Sequence, residues 1–139
     1  MTRERAIREY VLDTHEELLE RTLACADCVA ESWDGDATTD RQHVVEPFER
    51  TLQRGDVIDR LPTVLVDAVA ALGEGLPAEP VAAPPYLVVT SVGPVLRATL
   101  SGARLVVTIQ VFAIEHDPVR YVRGPATPAD ALSVALKNC

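Results

Sequence analysis

Val95-Leu96-Arg97-Ala98-Thr99-Leu100-Ser101-Gly102-Ala103-Arg104-Leu105-Val106-Val107 decides the fold of the C-terminal half. Large apolar residues recur at every second position on both sides of Ser101-Gly102, the period of a half-buried strand. Ser-Gly itself suits a two-residue hairpin loop. Folding there sets Leu100 opposite Ala103, Ala98 opposite Leu105 and Leu96 opposite Val107. One face then carries Leu96, Ala98, Leu100, Leu105, Val107, Ile109 and Val111. The other carries Val95, Arg97, Thr99, Arg104, Val106, Thr108, Gln110, Phe112 and Ile114. A one-residue slip would exchange the faces, so this sorting supports the register. The second face is too apolar for free solvent and too polar for a core. A two-fold axis lets such a surface complement itself, so a homodimer is expected, with Val106 and Phe112 central and Arg97 and Arg104 at the rim.

Strand-like runs extend outward from the hairpin: Tyr86–Val92 before it, Arg104–Glu115 through it, and Val119–Arg123 after the turn at His116-Asp117-Pro118. Thr127-Pro128-Ala129-Asp130 offers an N-cap, a proline at the first helical position and an acid in the first turn. That predicts a small terminal helix with Leu132 and Leu136 one turn apart. Upstream, residues 73–85 hold four of the ten prolines and read as a semi-rigid connector. Before the connector the period becomes helical. Ile7, Val11, Leu18, Thr22, Cys25 and Val29 predict one amphipathic helix over 3–33. Asp40 or Glu46 caps a second helix, with Pro47 a kink in the first case and a first-turn residue in the second. A further helix runs past Pro62 to Leu72, with Gly73 as its C-cap. The expected architecture is α+β: helices from residues 1–72 packed on an antiparallel meander sheet of three or four strands from 86–139, with a short C-terminal helix. The whole chain, 1–139, is expected to form one domain.

The chain has 139 residues, 13 basic and 21 acidic, for a net charge of −8. The entire excess lies in residues 1–72, with sixteen acids and eight bases; residues 73–139 hold five of each. An apolar content of 47% excludes disorder, and no apolar run is long enough to span a bilayer. Net negative charge disfavours general nucleic-acid binding. Met1–Arg5 leads into charged sequence without an apolar secretory core, and three cysteines are too few for a disulfide scaffold, so a cytoplasmic location is expected. The bases are 12 arginines and one lysine, Lys137, beside 19 valines and 18 alanines. Acid excess with little lysine suits a high-salt cytoplasm, where self-repulsion is screened. GC-rich codon usage yields the same alphabet.

Ala83-Pro84-Pro85-Tyr86-Leu87-Val88-Val89-Thr90-Ser91, Gly93-Pro94-Val95-Leu96-Arg97-Ala98-Thr99-Leu100 and Trp33-Asp34-Gly35-Asp36-Ala37-Thr38-Thr39-Asp40-Arg41 carry a resemblance that covers the whole chain. It resembles small uncharacterised acidic proteins of halophilic archaea. The resemblance implies a habitat and brings no catalytic residue with it.

Asp34-Gly35-Asp36-Ala37-Thr38 spells the nucleophile motif of haloacid-dehalogenase-type phosphatases, whose first aspartate attacks phosphorus from a strand tip. Here it follows a helix end, so the match reads as coincidence. Asp34, Asp36, Thr38 and Asp40 alternate as in a calcium loop, but Thr39 stands where glycine is needed and Val45 where a bidentate glutamate is. A solvated loop with aspartates as helix caps is the simpler reading, and weak cation binding the other. Cys25-Ala26-Asp27-Cys28 is a lone CxxC near a helix C-terminus, with only His43 and Cys139 available to complete a zinc site. It reads as a pair of buried structural cysteines. Arg97, Arg104, Arg120 and Arg123 can grip carboxylate or phosphate, or can pair with the acidic helices of the same chain.

Two functions stay open. The lack of a complete catalytic constellation favours a non-enzymatic interaction module or small regulatory subunit, without a cofactor. Its partner would be itself or another protein rather than nucleic acid or a membrane. The alternative is a small-ligand or metal-dependent enzyme built from Trp33, Asp36, Asp40 and His43 of one loop together with Arg97 and Arg104. Convergence of Asp36, Asp40 and His43 on Arg97 or Arg104 in one concave pocket would favour the enzyme, and their scatter over a convex surface the module.

Overall fold

Leu100 and Ala103 flank the turn at Ser101-Gly102, and the ladder runs from there through Ala98↔Leu105 and Arg97↔Val106 to Val95↔Thr108. Gly102 supplies the positive φ, +80°, that the tight turn requires. The computed structural model describes residues 2–138. In chain order its elements are α1 (Arg3–Thr14), α2 (Glu16–Glu31), β1 (Ala37–Thr38), α3 (Gln42–Arg54), α4 (Leu61–Ala71), β2 (Leu87–Val89), β3 (Pro94–Leu100), β4 (Ala103–Ile109), β5 (Phe112–Glu115), β6 (Arg120–Arg123), α5 (Pro128–Ala131) and β7 (Leu132–Asn138). The class is α+β. A four-stranded antiparallel sheet has the order β2-β3-β4-β7, and a smaller sheet has the order β1-β6-β5.

Leu96, Ala98, Leu105, Val107, Ile109 and Val111 are buried, as the alternation requires. They join Ile7, Leu19, Phe48, Leu52 and Leu65 from the helices in one hydrophobic cluster. Each of the leucine, isoleucine, valine and phenylalanine side chains withdrawn from water contributes about 1.5–3 kcal/mol before entropy is counted.

Three expectations change. The helix foreseen over 3–33 is two helices, because His15 leaves helical geometry with φ −120° and ψ 26°. Its Nε2 lies 2.6 Å from Asp67 Oδ2 on α4. The break lets α1 pack on α4 and β7 while α2 packs on α3. Val11 and Leu18 are seven residues apart, which suits an unbroken helix equally well, so periodicity could not reveal it.

The run Arg104–Glu115 is also two strands. Gly93 abuts the Ile109 carbonyl so closely that a Cβ would sit 1.9 Å from its oxygen. The Val92 carbonyl then accepts from both Val111 and Phe112, turning the chain into the second sheet. Consecutive burial of Val111 and Phe112 follows. Phe112 is therefore not on the outer sheet face. It is fully buried, edge-on to Phe48 at 5.2 Å and tilted against Trp33 at 5.8 Å.

The terminal helix is only α5. Thr127 caps it as expected, accepting from the Asp130 amide, but Leu132–Asn138 pairs with β4 as a strand. Leu132 and Leu136 share a face in either geometry, since a spacing of four suits both periods. Of the two starts open to the next helix, α3 takes the one at Asp40: it begins at Gln42, whose amide donates to Asp40 Oδ1, with Pro47 inside the helix.

Candidate functional site

The outer face of the four-stranded sheet can be read row by row from the register. Val88, Val95, Thr108 and Ser133 form one row. Arg97, Val106 and Ala135 form the next, flanked by Tyr86, whose carbonyl accepts from the Arg97 amide. Thr99, Arg104 and Lys137 form the third. Three cations and no acid lie on this face of a chain with net charge −8. Arg97, Arg104 and Lys137 are exposed and make no salt bridge among the described residues. Unpaired arginines elsewhere have a different setting: Arg50 and Arg54 on α3 have Glu46, Glu49 and Asp56 close by in sequence.

Arg97 and Arg104 border a cleft of about 370 Å³ beside β3. Leu76 and Pro77 of the proline-rich connector line it too, together with Pro85 and Tyr86. Tyr86, the connector residues and Lys137 escaped the sequence reading. Lys137 could be found only by recognising its segment as a strand, since a terminal helix would point it elsewhere.

Arg120 and Arg123 are used internally. Arg120 pairs with Glu115 across the β5–β6 ladder. Arg123 Nε donates to Asp27 on α2 at 2.8 Å, and its Nη1 donates to the carbonyls of Val111 and Pro125.

The Trp33–His43 loop is organised by Pro47. Lacking an N–H, Pro47 leaves the His43 carbonyl without its helical partner, and the Trp33 indole donates to that oxygen at 3.0 Å. Trp33 is thus an anchor, its ring against Phe112. His43 Nε2 lies 3.6 Å from Asp40 Oδ2 and Nδ1 lies 3.5 Å from Thr38 Oγ1, both long contacts in an exposed setting. Asp40, His43 and Trp33 line one depression. Asp36 lines a different one, beside Arg120 and Glu115. The six candidate residues therefore fall into three separate places. Among the described residues, no three His, Cys, Asp or Glu side chains gather as metal ligands.

The cysteines differ from each other. Cys25 is buried, and that burial, reinforced by Cys28 and opposed by Arg21, pushes its thiol pKa up. Cys28 is exposed, so only half of the expected buried pair is buried. Cys139 lies outside the described residues.

A family model, Domain of unknown function (DUF7988), matches residues 5–137. The chain belongs to that family. No curated protein and no solved structure matches it. Among the described residues, no helix is long and apolar enough to cross a membrane.

Proposed function

We propose that the chain is a non-enzymatic interaction module or small regulatory subunit whose working surface is the outer face of the β2-β3-β4-β7 sheet, and whose partner presents carboxylates. The observation that carries this reading is the unpaired trio Arg97, Arg104 and Lys137 on an acid-free face of an acidic chain. Guanidinium groups held on a sheet can grip carboxylates bidentately. The dispersal of Trp33, Asp36, Asp40, His43, Arg97 and Arg104 over three depressions supports a module over an enzyme.

The setting we infer is the cytoplasm of a halophile. At molar salt the Debye length is about 3 Å, so only direct ion contacts remain effective. Removing that screen should lower the melting temperature in about 0.05 M salt, as repulsion within residues 1–72 returns. An equal or higher melting temperature would contradict the habitat.

Labelled poly-glutamate at about 0.1 M salt tests the surface by fluorescence anisotropy. Arg97→Gln/Arg104→Gln should weaken binding by about tenfold or more, while Arg50→Gln/Arg54→Gln on α3 should have little effect. Equal losses in both variants would overturn the reading. Half-buried Val95 and Val106 on the same face favour a second reading, the homodimer. Light scattering behind size exclusion checks it: a dimer converted to monomer by Val106→Asp supports self-association, and a monomeric wild type removes it.

A further inference from the structure

The β3 edge beside the basic face is unfinished. In a two-residue hairpin, Leu100, Ala98 and Leu96 exchange hydrogen bonds with β4. The amides and carbonyls of Thr99, Arg97 and Val95 therefore point the other way, towards β2. Pairing with β2 covers Pro94–Leu96, and the Arg97 amide donates to the Tyr86 carbonyl at 2.9 Å. There the ladder stops. The next partners in line would be Pro85 and Pro84, which have no N–H to donate, and Tyr86 turns its own amide back to Ala83. Thr99 keeps an outward N–H and C=O with no hydrogen-bond partner among the described residues. This open stretch of edge lies in the cleft of about 370 Å³ that Leu76 and Pro77 also line.

The geometry points to strand addition at this notch: an extended acidic segment of a partner protein pairs with β3 at Thr99 and sets a carboxylate beside Arg97 and Arg104. The residue opposite Thr99 would exchange both main-chain hydrogen bonds with it and point its side chain to the outer face. Arg97 is then its diagonal neighbour, within reach of a long side chain, and Arg104 stands directly across Thr99. Aspartate or glutamate fits that position. The residues on either side of it point to the inner face, the side of buried Ala98, so apolar side chains fit there. The recognised pattern is apolar–acidic–apolar in extended form. Charge complementarity selects an acidic segment rather than a neutral one, and the short, proline-bounded notch admits one strand only.

This inference rests on the basic sheet face being the working surface, and the test separates the two. The probe is a labelled peptide of alternating valine and glutamate, compared with the same peptide N-methylated at its central glutamates. Methylation removes donors to the sheet edge and leaves every charge in place. The protein is compared with Thr99→Pro, which deletes the outward N–H and leaves the β3–β4 ladder intact, and with Arg97→Gln/Arg104→Gln. Circular dichroism and melting confirm that each variant folds; should Thr99→Pro fail to fold, the methylated peptide alone decides. Strand addition predicts at least about tenfold weaker binding for the methylated peptide, for Thr99→Pro and for the arginine variant. Full binding of the methylated peptide together with loss in the arginine variant would overturn strand addition and leave the surface standing. Indifference to the arginine substitutions would overturn both. Binding by a segment of a second copy of this chain, seen as probe-competed self-association, would replace the heterologous partner.

Discussion

Arg120 and Arg123 on the small sheet and Arg97 and Arg104 on the large one sit alike in sequence, each on a strand of the β-rich half, yet the fold uses them oppositely. Arg123 is drawn inward, bonded to Asp27 on α2 and to the carbonyls of Val111 before β5 and Pro125 after β6. Arg97 and Arg104 are exposed on the outer face of their sheet and make no salt bridge among the described residues. An arginine beside an acidic helix becomes a tie within the fold, whereas an arginine on the outer face of a sheet stays available to something else. Arg123 thus meets an acidic helix of its own chain, one of the two alternatives open to these residues.

The contrast can be broken first at Phe112. Its full burial against Phe48 and Trp33 makes it the joint between the small sheet and the helices. Phe112→Ala should cost about 3–5 kcal/mol in urea unfolding, and a loss below about 1 kcal/mol would place the ring at a surface instead. Next come the arginines. Arg123→Ala should cost about 2 kcal/mol, since its charged hydrogen bonds include one to the Val111 carbonyl. Arg97→Ala and Arg104→Ala should stay within about 0.5 kcal/mol of wild type. Similar losses at all three positions would erase the distinction.

The smallest effect is at the thiols. In a Cys139→Ser background, a thiol reagent should label Cys28 in the folded protein and reach Cys25 only on unfolding. Because burial raises the Cys25 pKa, the unfolded chain loses its proton first as pH rises. The Cys25 contribution to stability is therefore whole below the ordinary thiol range and declines as pH climbs through the folded value. Cys25→Ala should flatten that alkaline decline, and an unchanged decline would assign it to other groups.

The hairpin was legible because every constraint on it is local: a Ser-Gly turn, a period of two, and faces that sort in only one register. The Thr127 cap and the Gly73 terminus were local too. At Gly73, φ is +75° and the amides of Gly73 and Glu74 close onto Ala70 and Val69. What escaped the sequence depends on partners distant in the chain. His15 breaks a helix towards Asp67, Gly93 accommodates the Ile109 carbonyl, and residues 132–138 become a strand because β4 offers them an edge. Local propensity cannot register such partners. The candidate site was half legible for the same reason. Arg97 and Arg104 could be placed on one face from alternation, but Lys137, the connector residues and the unfinished edge at Thr99 required the tertiary arrangement.

Amide chemical-shift mapping of the labelled protein during titration with poly-glutamate locates the binding surface residue by residue. Binding at the basic sheet face predicts shifts concentrated at Arg97, Thr99, Arg104, Val106 and Lys137, with the Trp33–His43 loop and α3 unmoved. Shifts centred on that loop, or an even scatter over all exposed arginines, would contradict it.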